Sequence, residues 1–166
     1  MISIRKATGD DIAAISSVQK TTWLATYPNE SIGITRADIE EKFIQNNVVW
    51  DFSDVRFSTW VAEANGNIVG YCVAQKEQTQ NRLKALYVLP LYQKRGIGKK
   101  LMTETLSWLR EGKIICLNVA SYNKKAIRFY GSFGFIPTGN MVSDPVAKLP
   151  SQKNIPEIEM ARAKKI

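Results

Sequence analysis

The sequence predicts an α/β (α+β) fold, a single domain over residues 1–166 in which helices cover a mixed sheet. Three patterns predict it. Apolar and polar residues alternate at the start of the chain, with Ile2 and Ile4 on one face and Ser3 and Arg5 on the other, the period of a half-buried strand. Apolar residues recur at helical intervals in Ile12, Ile15 and Val18, and again in Leu101, Met102, Thr105, Trp108 and Leu109. Between residues 59 and 75 a β-rich stretch is broken by Asn65-Gly66, a dipeptide suited to the positive φ angles of a tight hairpin turn.

The elements follow in order. A first strand covers residues 1–6. Thr8-Gly9-Asp10-Asp11 has the spacing of a capping box and opens a helix that the periodicity carries to about Thr22. An irregular stretch with Pro28 and Gly33 comes next, and Thr35-Arg36-Ala37-Asp38 starts a second capped helix, with Ile39 and Phe43 four residues apart. The hairpin at 59–75 precedes a strand at 82–88 that ends before Pro90. A helix over 98–110 is stopped by Gly112, a buried strand covers 114–119, a short helix covers 123–132, and strands at 135–137 and 158–162 close the chain. The resulting order is βααββββαβαββ, with one strand of the central run optional. Residues 139–156, with Pro145, Pro150 and Pro156, read as a long loop.

Composition narrows the chemistry. Histidine is absent, so imidazole catalysis, His-based triads and His-metal ligation are excluded, and no metal is expected. Cys72 and Cys116 lie in separate apolar runs and read as buried thiols in a reducing compartment. Residues 1–8 lack the apolar core of a secretion signal and no run approaches a membrane span, so a cytoplasmic location is expected and a membrane partner is not. A net charge of +8 from 23 Lys plus Arg against 15 Asp plus Glu favours an anionic partner: nucleic acid, an acidic surface or a phosphorylated cofactor. No zinc-finger, RNP or recognition-helix pattern supports a nucleic-acid-binding module, which stays as an alternative only.

The most informative segment is Gln93-Lys94-Arg95-Gly96-Ile97-Gly98-Lys99-Lys100, between a strand and a helix. Two glycines let successive main-chain N–H groups at a helix N-terminus converge on phosphate oxygens, and the flanking cations strengthen that field. A Walker A loop would need Gly where Gln93 or Lys94 stands, and a dinucleotide fingerprint a third Gly where Leu101 stands.

The chain resembles the GNAT superfamily of acetyl-CoA-dependent N-acetyltransferases in two segments. One is Leu86-Tyr87-Val88-Leu89-Pro90-x-Tyr92-Gln93-x-x-Gly96-Ile97-Gly98, the other Asn123-x-x-Ala126-x-x-x-Tyr130-x-x-x-Gly134-Phe135. The resemblance, strongest over 61–135, implies a GNAT-like mixed, V-split central sheet flanked by helices, with the pantetheine arm of the coenzyme filling the split. It implies that Leu86, Tyr87 and Val88 hold pantetheine, that Lys94, Arg95, Gly96, Ile97, Gly98 and Lys99 wrap the pyrophosphate with Gln93 as a further coenzyme-binding residue, and that Asn123, in a motif shared with Ala126, bonds to a pantetheine amide. Tyr130 matches the family's usual proton donor to the departing thiolate.

Direct attack of an amine on the thioester needs no acyl-enzyme, because proximity and orientation supply much of the barrier reduction. The base is where the sequence departs from the family: Asn118 stands where some members have Glu, and residues 82–88 contain no carboxylate. Glu77 is the best remaining carboxylate, and a water held by Asn118 or main-chain carbonyls is the competing reading. Family architecture places the acceptor near Trp23, Tyr27 and Glu30, close to strand 60–62 and the 139–156 loop. Trp23-Leu24-Ala25-Thr26-Tyr27 is similar to a segment of some members that acetylate polyamines. An acidic patch of Glu30, Asp38, Glu40 and Glu41 would be needed to receive a polycation on a basic protein. The expected acceptor is a small-molecule or peptide primary amine. The missing strand carboxylate keeps a CoA-binding sensor without turnover as a further alternative, and a homodimer is left open.

Overall fold

The computed structural model describes residues 1–45, 51–109, 112–142 and 148–163. Its elements run β1 (Ile2–Lys6), α1 (Ile12–Thr26), α2 (Arg36–Gln45), β2 (Phe57–Ala64), β3 (Asn67–Lys76), β4 (Asn81–Val88), α3 (Ile97–Leu109), β5 (Ile115–Ala120), α4 (Lys124–Gly131), β6 (Phe135–Val142) and β7 (Glu157–Arg162). The strands form one sheet in the order β1-β2-β3-β4-β5-β7-β6. Only the β4–β5 pair among the described residues is parallel, so the sheet is mixed as expected. Three strands, β2 to β4, stand in the central run where four were allowed.

The Asn65-Gly66 turn forms as its chemistry requires, with φ of 51° and 78° joining β2 to β3. Alternation along each strand then sends side chains to two faces. Cys72, Leu83, Val88, Leu117, Val119 and Met160 pack with Ile97, Leu101, Met102 and Tyr130 under α3 and α4. On the other face Ile15 and Val18 of α1 cover Val61, Tyr71 and Val73, and Trp23, Tyr27 and Ile39 pack with Ala120, Leu149 and Ile155. The sheet thus separates two apolar layers. Burial pushes the Cys72 thiol up to about 12, offset in part by its hydrogen bond with Thr105, which leaves it an inert core group.

Three boundaries differ from the sequence expectation. Helix α1 runs one turn past Thr22, because Thr22 Oγ1 back-bonds to the Val18 carbonyl at 2.8 Å and Trp23 packs edge-on against Tyr27 at 4.8 Å; Pro28 disfavours continuation beyond Tyr27. Strand β6 continues past Pro137 to Val142, which an edge strand tolerates, and Gly139, at φ 89°, lies in the register shift between Pro137 and Met141. Of the expected 139–156 loop, 139–142 is therefore strand, 143–147 lies outside the described residues, and 148–156 is tied down. Leu149 and Ile155 are buried, Lys148 bridges Asn154, and Lys42 Nζ donates to the Lys148 carbonyl at 3.0 Å. The predicted helix end at Arg110 also lies outside the described residues.

The start of α2 anchors that segment. Asp38 accepts from the Thr35 N–H at 2.8 Å and returns its own N–H to Thr35 Oγ1 at 3.1 Å, and Lys153 Nζ lies 3.3 Å from the same carboxylate. The Thr35 N–H first, then Ser151 and the Thr35 hydroxyl, hold this carboxyl well below the usual carboxylate range. A depressed folded-state pKa contributes stability that is present above the ordinary carboxylate value and is lost as pH falls towards the folded-state one. Asp38→Asn is therefore expected to cost about 1 kcal/mol at neutral pH, with the gap to the unaltered chain closing below about pH 4, as read by denaturation across pH. An unchanged gap in acid would contradict the capping role.

Gly70 fixes the distance between β3 and β4. A Cβ there would sit 2.9 Å from the Tyr87 carbonyl oxygen, a main-chain atom that cannot rotate away. Gly70→Ala is expected to cost about 1–3 kcal/mol by overpacking and to move Tyr87, measurable as a lowered midpoint of unfolding.

Candidate active site

Strands β4 and β5 pair only from Asn81↔Ile115 to Leu83↔Leu117 and then part. This fork is built from the strand pairing itself. Leu89 N–H bonds to the Val69 carbonyl and Tyr87 stands opposite Tyr71, so the antiparallel alternation turns the main-chain groups of Tyr87 towards β3 and those of Leu86 and Val88 into the gap. Gln93 Nε2 donates to the Val88 carbonyl at 2.9 Å, and Lys125 Nζ bonds to Gln93 Oε1, which braces the strand end against α4. Leu86 N–H, Leu86 C=O and Val88 N–H are the groups presented to a ligand. Tyr87 contributes its side chain, on the α1 face.

A cavity of about 980 Å³ passes through the fork. On the α3 side it is closed by the 93–99 loop. Lys94 and Gly96 adopt φ of 62° and 79°, and the Gly96 carbonyl accepts from Lys100 N–H at 3.0 Å, which makes Gly96 the N-cap of α3. The N–H groups of Ile97, Gly98 and Lys99 have no helical partner and form a site for anions, reinforced by the helix dipole and by Lys94, Lys99, Lys124 and Lys125 around the cavity.

Asn123 Oδ1 caps α4 by accepting from Ala126 N–H at 3.1 Å, leaving its amide nitrogen for a ligand. Tyr130 follows two turns later, buried, with its ring 5.5 Å from Phe129 and 6.1 Å from Phe135. Burial first, with Tyr87 and Cys72 nearby, pushes its phenol far above the ordinary range, so it stays protonated. Asn118 lies just past the last β4–β5 pair, and its Oδ1 is buried with no hydrogen-bond partner among the described residues. Such an acceptor costs about 1–3 kcal/mol unless a ligand or water supplies a donor.

The structure therefore gathers Leu86, Tyr87, Val88, Gln93, Lys94, Gly96, Ile97, Gly98, Lys99, Asn118, Asn123, Ala126 and Tyr130 around one cavity, with Trp23 and Tyr27 on its far side. Arg95 does not line it and stacks on Tyr92, 5.2 Å from the ring centre. Glu30 is exposed and also lies off the cavity. Glu77 sits at the closed end of the fork, 3.5 Å from Arg82, while its carbonyl accepts from Lys113. Six residue steps of strand separate Asn81 from Tyr87, roughly 20 Å, so Glu77 is not brought to the open end.

Sequence reasoning missed Tyr122, Ile155 and Glu157, which line the α1 side of the cavity. Tyr122 Oη donates to the Tyr27 carbonyl at 2.8 Å, and the Tyr27 and Tyr87 hydroxyls lie 3.2 Å apart. Burial is the main reason these phenols stand above their usual range, and Glu157 raises all three further. Alternation in the last strand was the available signal for Glu157, but nothing in its neighbourhood marks it as a site residue.

Comparison with known proteins agrees with this geometry. The acetyltransferase (GNAT) family profile matches residues 15–135. An uncharacterized N-acetyltransferase of Archaeoglobus fulgidus is 28% identical over 140 residues, covering 79% of this chain and 90% of that protein. The N-alpha-acetyltransferase RimI of Mycobacterium tuberculosis is 33% identical over 82 residues, 47% of this chain and 51% of that one. Among solved structures, PaiA N-acetyltransferase of Thermoplasma acidophilum in complex with coenzyme A superposes with a TM-score of 0.73 at 22% identity, over 99% of both chains.

Proposed function

From the premise that the chain belongs to the acetyltransferase (GNAT) family and is an acyltransferase, we propose that it moves an acetyl group from acetyl-CoA to a primary amine by direct attack. The observation that carries this reading is the fork: a gap in the sheet with main-chain donors at one edge, a helix N-terminus behind it and a buried phenol beside it. The anion site at Ile97, Gly98 and Lys99 takes the pyrophosphate. Leu86 and Val88 hold the pantetheine arm as an added strand, with the Asn123 amide nitrogen as a further donor. Val88 N–H is available to the thioester oxygen as charge develops there. Tyr130 gives its proton to the departing thiolate, because the buried phenol is protonated at neutral pH and a thiolate formed beside it is the base that can take that proton.

The acceptor is a small-molecule amine or a protein N-terminus. The name of the Mycobacterium tuberculosis relative supports the N-terminal reading, and the aromatic walls of Trp23, Tyr27 and Tyr87 suit a slim chain of either kind. The test is thiol release from acetyl-CoA across polyamines, aminoglycosides, amino acids and N-terminal peptides, with calorimetry of acetyl-CoA binding in parallel. Binding with amine-dependent thiol release is expected. Binding without turnover across the panel would make the chain a coenzyme sensor, and salt-sensitive oligonucleotide binding without acetyl-CoA binding would overturn the reading.

A further inference from the structure

An aliphatic amine with a pKa of about 10 arrives at neutral pH as an ammonium ion, whereas attack on a thioester needs the free lone pair. The transfer therefore needs a group that meets the cation and removes a proton. Among the described residues lining the cavity, Glu157 is the one carboxylate.

Its position follows from strand register. Glu157 pairs with Ala120, and Asn118 with Glu159, so Glu157 and Asn118 are diagonal neighbours on the same face of β5 and β7. That face looks towards α1, since Ala120 packs there with Trp23, Tyr27 and Ile155. The coenzyme loop and Tyr130 belong to the opposite face. The lysines and free helix N–H groups gather on the α3 side of the cavity, whereas the α1 side holds the Glu157 carboxylate, the buried Asn118 Oδ1 and, at the closed end, Arg82, whose charge is paired with Glu77. Two acceptors on one face of the sheet, with the rings of Trp23, Tyr27, Tyr87 and Tyr122 lining the same cavity, suit the three donors of a primary ammonium ion.

We propose that Glu157 receives the acceptor as an ammonium ion, with Asn118 Oδ1 as its second hydrogen-bond acceptor, and takes the first proton from the nitrogen. This assignment rests on the transferase reading above. One proton passes from nitrogen to a Glu157 carboxylate oxygen and on to solvent. The lone pair so released forms the C–N bond, the C–S bond breaks with its electrons on sulfur, and sulfur takes the Tyr130 proton. The second proton lost by nitrogen restores the phenol through water. One proton is released per turnover.

The test compares Glu157→Gln with the unaltered chain in thiol release, using propylamine and 2,2,2-trifluoroethylamine as acceptors. Fluorine beside the nitrogen leaves the second amine neutral at pH 7, so it needs no receiver for a first proton. The substitution is expected to lower kcat/KM for propylamine by about 10²-fold or more and for the fluorinated amine by less than about fivefold. Calorimetry should find acetyl-CoA affinity within about twofold of the unaltered chain. Equal losses on both amines would make Glu157 a wall residue only, and no loss on either would remove it from the reaction. Loss of acetyl-CoA binding would place its effect on the fold or the coenzyme instead; each of these overturns the assignment. No amine-dependent thiol release by the unaltered chain on propylamine, polyamines, aminoglycosides, amino acids or N-terminal peptides would overturn the amine-transfer reading itself.

Discussion

Tyr130→Phe is expected to lower kcat for acetyl transfer by about 10²–10³-fold while acetyl-CoA affinity changes by no more than about twofold. The split between the two follows from what the substitution removes. The ring keeps its edge-on contacts with Phe129 and Phe135, so the volume beneath α4 is unchanged and no cavity opens. Only the hydroxyl goes, and with it the proton offered to the leaving sulfur. Because burial holds the phenol protonated far beyond neutral pH, Tyr130 acts as an acid and contributes no limb to the rate profile between pH 6 and 9. Single-turnover measurement with saturating acetyl-CoA isolates the step. An unchanged kcat would return Tyr130 to the core as a packing residue.

The second large effect is expected at the coenzyme loop, where Gly96→Asp should weaken acetyl-CoA binding by about 10²-fold. A Cβ at Gly96 meets nothing within 4 Å, so collision is not the cause. Two other costs act together. A φ of 79° disfavours any residue with a Cβ by about 1–2 kcal/mol, and an aspartate at the start of α3 places a negative charge beside the seat of the pyrophosphate. Gly96→Asn separates them, since asparagine tolerates the left-handed region and carries no charge. Its affinity should fall by less than about tenfold, and the difference between Asp and Asn should shrink at high ionic strength as screening shortens the reach of the charge. Calorimetry in low and high salt reads both. Equal affinities for the Asp variant and the unaltered chain would contradict an anion seat in this loop.

These two effects lie in segments that were legible because their chemistry is local. The Asn65-Gly66 hairpin and the glycines between a strand and a helix each depend on residues within one or two turns of chain, and Asn123 and Tyr130 were legible through the short family motif that they match. The expectation placed on Glu77 shows where local reading stops. Glu77 follows a strand and carries the right group, but the β3–β4 register sets it at the closed end of the fork, against Arg82. Arg95 differs from its neighbours in the same way, because the turn that points Lys94 and Lys99 at the cavity sends Arg95 over Tyr92. The late loop was misjudged at Pro137 and Gly139 because an edge strand can carry a proline and a bulged glycine that a central strand cannot.

The order of strands and helices and the glycine turn between β4 and α3 were determined by the sequence alone, since hydrophobic period, turn chemistry and helix capping act between near neighbours, while Tyr130 was marked by its resemblance to a family motif. Only the tertiary structure decided which carboxylate lines the cavity. Glu157 reaches the cavity because β7 inserts between β5 and β6 and pairs it with Ala120, a contact between segments far apart in the chain. Register of that kind is set by the packing of whole faces, and no short stretch of residues encodes it.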